Sequence, residues 1–180
     1  MTGTVEPQAP PQRPFAAFVG LESGPISATD SIDPSAVRRF LHAVMDGNPR
    51  YLGPGGRPVG VPLLYPVNAF RRALDAPDPL AAAETDPEFD GVGSSEVGLL
   101  WGLPVIPETV GRRLLNGGNH IRFHGEAEVG DELVVRARYA DVYEKTSSSG
   151  RTMLFVVVES SFTTGSGRPL LTNRQNLIYR

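Results

Sequence analysis

From Leu114 to its end the chain alternates apolar and polar residues in long runs broken by glycine turns, a pattern that only a strand meander satisfies. Asn119 to Val129 alternates around Ile121 and Phe123, and Gly130-Asp131 marks a turn. Leu133, Val135, Ala137 and Tyr139 then share one strand face, with Arg136 and Arg138 on the other. After the Lys145–Gly150 loop, Thr152 to Thr163 reads as a long strand. Its middle, Met153 to Val158, is continuously apolar, so burial on both faces is expected. Gly165-Ser166-Gly167 turns the chain again, and Leu170 to Tyr179 is the last strand. Long strands joined by short turns pair antiparallel.

One helix precedes the meander, which makes the class α+β. Asp33 is a good N-cap, and Pro34 stands at the first helical position, where its missing N–H costs nothing. Val37, Phe40, Leu41 and Val44 fall at i, i+3, i+4 and i+7 and predict one buried stripe. The helix is expected to end near Asp46-Gly47, because the Asn48-Pro49 step opposes its continuation.

The remainder is less regular. Residues 1–14 carry four prolines and read as a mobile arm ahead of a single domain at 15–180. Phe15 to Leu21 is apolar enough to pack against that domain, and Ile26 to Thr29 is a short strand candidate. Residues 52–60 form a Gly/Pro loop. Pro66 opens a second helix candidate bearing Val67, Phe70, Ala73 and Leu74. Residues 75–95 are acidic and read as a surface excursion, with a helical turn around Leu80 to Glu84. Gly98 to Ile106, with the sole tryptophan Trp101, is a strand or a pocket-lining loop.

Composition narrows the function classes. A formal charge of −3 lacks the basic excess of a nucleic-acid surface. No apolar run approaches the roughly 18–20 residues that span a bilayer, and the N-terminus lacks a basic-then-apolar signal. Cysteine is absent, which excludes disulfides and thiolate chemistry and points to a cytoplasmic location.

The hexapeptide Asp46-Gly47-Asn48-Pro49-Arg50-Tyr51 resembles the catalytic turn of the MaoC-like dehydratases and hydratases, Asp-x-Asn-Pro-x-His, with Tyr51 in place of the His. A second resemblance runs through Arg112-Arg113-Leu114-Leu115-Asn116-Gly117-Gly118, Ile121-Arg122-Phe123-His124 and Val129-Gly130-Asp131. It continues in Asp141-Val142-Tyr143-Glu144-Lys145, Ser149-Gly150, Leu154-Phe155-Val156 and Arg174-Gln175-Asn176-Leu177-Ile178-Tyr179-Arg180. Together these are similar to the fatty-acid-synthase-like dehydratase domain, the N-terminal type of MaoC-like fold; residues 52–105 match it poorly.

The resemblance implies a hot-dog fold, a curled antiparallel sheet wrapped around a central helix. It implies hydration of a 2-enoyl thioester, or dehydration of a 3-hydroxyacyl thioester, carried on CoA or acyl carrier protein, with no cofactor. It also implies a second hot-dog unit, from another MaoC-like chain or a second copy, with the thioester tunnel between the two.

That chemistry holds a water between a base and an acid and stabilises an enolate-like thioester oxygen. Asp46 and Asn48 occupy the matching positions. A phenol titrates near roughly pH 10, which makes Tyr51 a poor base at neutral pH. The expectation is therefore a non-catalytic or incomplete half that shapes the acyl pocket. A self-sufficient homodimer using Asp46 with Tyr51 or His124, and a non-enzymatic thioester-binding protein, are the alternatives.

The same residues admit plainer readings. Asp46 to Pro49 carries every signal of a helix-ending turn. His120 and His124, four apart on a strand, share a face as solvent-facing or hydrogen-bonded residues, and without a carboxylate cluster they predict no metal site. His42 lies off the apolar stripe and is expected exposed or at an interface. Gly117-Gly118 permits close approach of a ligand or partner, or makes a tight turn before the strand. Arg112, Arg113 and Arg122 could meet carrier phosphates or stay solvated. Trp101 and Phe70 line an acyl tunnel or are simply core.

Overall fold

The computed structural model describes residues 14–70 and 100–180. Strands β1 (Ile26–Ser27), β2 (Leu114–Phe123), β3 (Leu133–Thr146), β4 (Thr152–Thr164) and β5 (Pro169–Tyr179) form one antiparallel sheet in the order β1-β3-β4-β5-β2. The sheet is open, with β1 and β2 at its edges. Helix α1 (Pro34–Ala43) and the single turn α2 (Tyr65–Asn68) precede the long strands. This is the α+β hot-dog arrangement expected from the sequence.

Strand parity fixes the inner face. Leu133, Val135, Ala137 and Tyr139 of β3 register opposite Thr164, Phe162, Ser160 and Val158 of β4. These in turn meet Leu171, Asn173 and Gln175 of β5. One end of this face is covered by Phe15 and by Leu100, Leu103 and Ile106, packed on Tyr139, Leu154, Val156, Leu177 and Tyr179. The other end takes α1, whose Val37 and Leu41 are buried with Leu133, Leu170, Val61 and Tyr65. Burying one such side chain fully stabilises the fold by about 1.5–3 kcal/mol.

The N-terminal segment packs as expected. Phe18 meets the Tyr139 ring edge-on at 6.3 Å, and Ser23 donates its N–H to the Ala137 carbonyl while its hydroxyl accepts from the Ala137 N–H.

Helix α1 begins where the sequence places it. Asp33 Oδ1 accepts from the Ser35 and Ala36 amides at 2.9 and 3.0 Å, and also from the Ser35 hydroxyl. These hydrogen bonds, that from the Ser35 hydroxyl first, hold the Asp33 carboxyl below its ordinary pKa. The helix stops earlier than its apolar stripe suggests. Val44 is the C-cap and is exposed, because Met45 turns left-handed (φ 54°). The Met45 amide donates to the His42 carbonyl and the Asp46 amide to the Leu41 carbonyl, a Schellman closure that leaves Val44 outside the buried stripe. Phe40 is half-buried against Tyr65, and His42 is exposed.

Other differences have local causes. β2 starts at Leu114 and ends at Phe123, so the alternation read through Val129 overruns the strand by several residues. The chain leaves there because both the His124 and Gly125 amides donate to the Leu170 carbonyl, and the Glu128 amide donates to Asp131 Oδ2. Within the Met153–Val158 run, Leu154, Val156, Val157 and Val158 are buried, while Met153 and Phe155 are half-covered. Phe155 stacks on Tyr143 (5.1 Å) on the outer face, with Lys145 over both rings. Residues 100–106 are loop rather than strand. The second helix is shorter than its apolar spacing suggests: α2 ends at Asn68, with Ala69 as its C-cap, so Phe70 lies past it. Its other candidates Ala73 and Leu74, the 1–14 arm as far as residue 13, and the 75–95 excursion lie outside the described residues. No helix among the described residues is long and apolar enough to cross a membrane.

Candidate functional site

The 46–51 turn is built by its own side chains. Asp46 Oδ1 accepts from the Asn48 amide at 2.9 Å, and Asn48 Oδ1 accepts from the Arg50 amide at 3.0 Å. Two successive Asx turns thus follow the Schellman closure. Tyr51 is fixed at its backbone on both sides: its amide donates to the Asn48 carbonyl (2.9 Å), and its carbonyl accepts from the Val59 amide (2.9 Å). Its ring is half-buried against the α1 core cluster. Gly60 sits so close that an added Cβ would lie 3.0 Å from the Arg50 carbonyl and 3.5 Å from Tyr51 Cδ1. Arg50 pairs with Glu126, which ties the turn to the segment after β2. The half-buried Asp46 and exposed Asn48 therefore have a structural task.

His124 stands on the outer face of the sheet, where its Nε2 and Thr172 Oγ1 lie 2.9 Å apart. His120, Arg122, His124, Glu159, Thr172 and Arg174 line a shallow groove of about 320 Å³ there. The two histidines share a side, as their spacing predicts. Glu159 is gripped by Arg138 (2.7 and 2.9 Å) and more loosely by Arg174 (3.5 Å), so the carboxylate is already paired. Arg112 and Arg113 lie away from the groove, before β2, where the Arg113 and Arg180 backbones bond each other reciprocally at 3.0 Å. Among the described residues no group of three His, Asp or Glu is gathered for a metal.

Gly117-Gly118 is not a turn before the strand but a bulge inside it. Asn116 pairs with Leu177 and Asn119 with Gln175, so β2 spends one extra residue there. Gly118 has φ 112°, and a Cβ on Gly117 would come within 2.9 Å of Ile178. The close approach is to β5 of the same chain. The extra residue sends both Asn116 and Asn119 to the inner face.

Phe70 and Trp101 meet on that face. Their rings cross at 5.4 Å, and both pack on Phe162 (5.7 and 5.5 Å). Trp101 reaches it through a left-handed backbone (φ 49°), a conformation a bulky residue adopts only under the constraint of its surroundings.

Ser160, Asn173 and Gln175 were not singled out from the sequence. All three are buried on the inner face, with 2%, 8% and 8% exposure. The signal was present: in β5 the alternation places Asn173 and Gln175 in step with Leu171, Leu177 and Tyr179.

Residues 17–173 match the family described as FAS1-like, dehydratase domain region. The chain belongs to this family. Solved structures agree on its MaoC-like hot-dog fold. The ChsH1–ChsH2 complex from Mycobacterium tuberculosis aligns at TM-score 0.60 and 15% identity, covering 87% of this chain and 83% of that one. A MaoC-like dehydratase from Rhodospirillum rubrum aligns at 0.51 and 14%, covering 93% and 96%. The C-terminally truncated HadBC 3R-hydroxyacyl-ACP dehydratase complex from M. tuberculosis aligns at 0.51 and 15%, covering 89% and 96%. No curated protein sequence matches the chain.

Proposed function

We propose that the chain is a subunit of an (R)-specific enoyl-thioester hydratase, or in reverse a 3-hydroxyacyl-thioester dehydratase, and that it is the incomplete half. A partner hot-dog chain supplies the acid–base pair; this chain shapes the acyl pocket. The observation that carries the reading is Tyr51. It replaces the family's His, and its ring is packed into the α1 core cluster rather than held as a base. The Asx turns of Asp46 and Asn48 support the same reading, as does the engagement of His124 with Thr172 on the far face.

In this reading the thioester rides on CoA or acyl carrier protein, and water is the only other reactant. Phe70, Trp101 and Phe162 floor the acyl pocket, and Arg122 with Arg174, in the groove on the outer face of the sheet, offers a cationic surface to the carrier phosphates. That two similar folds come from complexes, ChsH1–ChsH2 and HadBC, favours a two-chain arrangement.

The test is reconstitution. Mixing this chain with a MaoC-like chain that carries Asp-x-Asn-Pro-x-His should raise enoyl-CoA hydration by orders of magnitude over either alone, the scale of acid–base catalysis. The reading fails if no such partner changes the rate.

A further inference from the structure

The inner face of the sheet carries a polar band where a core is expected to be apolar. Ser160 and Asn173 are cross-strand neighbours, and Gln175 lies two residues along from Asn173. Asn173 is more than nine-tenths buried, and its Oδ1 accepts no hydrogen bond among the described residues. A buried acceptor left open costs roughly 1–3 kcal/mol, so a fold retains one for a reason. The band opens toward β2. Asn119, registered opposite Gln175, is exposed; Ile121, opposite Asn173, is half-exposed; Phe123 is 42% exposed. The Gly117-Gly118 bulge is what brings Asn119 onto this face.

We propose that Asn173, supported by Ser160, Gln175 and Asn119, is a specificity site for an acyl group bearing a hydroxyl away from the thioester. An open carbonyl acceptor selects a donor, and a hydroxyl is the donor that an acyl chain can carry. The aromatic cluster of Phe70, Trp101 and Phe162 borders the band through Phe162, which lies two residues along β4 from Ser160, so an apolar stretch and a donor are met together. A plain alkyl chain would leave Asn173 unpaired and gain nothing from the band. This inference rests on the acyl-pocket reading above and gives that pocket a substrate class.

The experiment uses the full chain, with decanoyl-CoA and a set of its monohydroxylated isomers as probes, in titration calorimetry and thermal melts. At least one hydroxylated isomer should bind about tenfold more tightly than decanoyl-CoA, the worth of one well-made hydrogen bond. Asn173→Leu, close in shape, should erase that preference, leave decanoyl-CoA binding intact, and raise the Tm by a few degrees by removing the open acceptor. Asn119→Ala, at an exposed position, should weaken only the hydroxylated probe and leave the Tm unchanged.

A fall in Tm for Asn173→Leu would show that the amide is satisfied within the protein and would overturn the proposal. So would equal affinity of the wild type for all probes, which would leave the acyl-pocket reading standing. Failure of every thioester to bind, both to the chain alone and to the chain mixed with a partner carrying Asp-x-Asn-Pro-x-His, would overturn both.

Discussion

The turn at 46–51 and the band at Ser160, Asn173 and Gln175 are both polar, yet they dispose of their polarity in opposite ways. In the turn, Asp46 Oδ1 and Asn48 Oδ1 are engaged by amides two residues ahead, and the Tyr51 backbone is bonded on both sides. In the band, the Asn173 amide oxygen is buried and accepts no hydrogen bond among the described residues. The turn is where the family resemblance points; the band is where hydrogen-bonding capacity remains. A motif can persist for the geometry it builds after its chemistry has gone, whereas a buried open acceptor has no geometric use.

The comparison can be pressed by mutation. The largest effect is expected beneath the band. Phe162→Ala removes the ring on which Phe70 and Trp101 both rest and should cost about 3–5 kcal/mol in urea unfolding. An effect below about 1 kcal/mol would mean that the Phe162 ring is not the packed centre of this cluster.

Next, Asp46→Ala should cost about 0.5–1.5 kcal/mol by loss of the Asx turn, while Asp46→Asn, which keeps an Oδ1 acceptor, should be nearly neutral for stability. Met45→Gly should stabilise by roughly 0.5–1 kcal/mol, since glycine takes the left-handed C′ position without the Cβ penalty. Tyr51→Phe should change neither stability nor reconstituted activity measurably; a large loss of rate would give the phenol a chemical role.

The smallest effect concerns the helix that delivers the turn. The Asp33 carboxyl titrates below its ordinary 3.8 because the Ser35 hydroxyl and the first-turn amides bond its ionised form. A depressed folded value means that its contribution is fully present above the unfolded pKa and is lost as pH falls through the folded one. The protection of the first-turn amides of α1, taken relative to their intrinsic exchange rate at each pH, should therefore fall as pH drops through the Asp33 pKa, and Asp33→Asn should remove that dependence.

Much of the fold was legible because it depends on local rules. The meander followed from period-two alternation and glycine turns, and α1 from Asp33-Pro34. Most of what escaped depended on partners distant in sequence. The end of β2 is set by the Leu170 carbonyl, which takes the His124 and Gly125 amides, and no feature of 119–129 announces it. The bulge at Gly117-Gly118 is visible only in register with β5. Val44 left the stripe because Met45 accepts a conformation usually given to glycine. For the site, the motif located the turn, but only the structure shows its side chains engaged in holding it.

The decisive measurement is enoyl-CoA hydration by the purified, folded chain alone, followed as loss of the conjugated enoyl absorbance, beside its Asp46→Asn variant. An incomplete half should show no turnover in either protein. Turnover in the wild type that Asp46→Asn abolishes would make the chain a complete enzyme and the turn its catalytic centre.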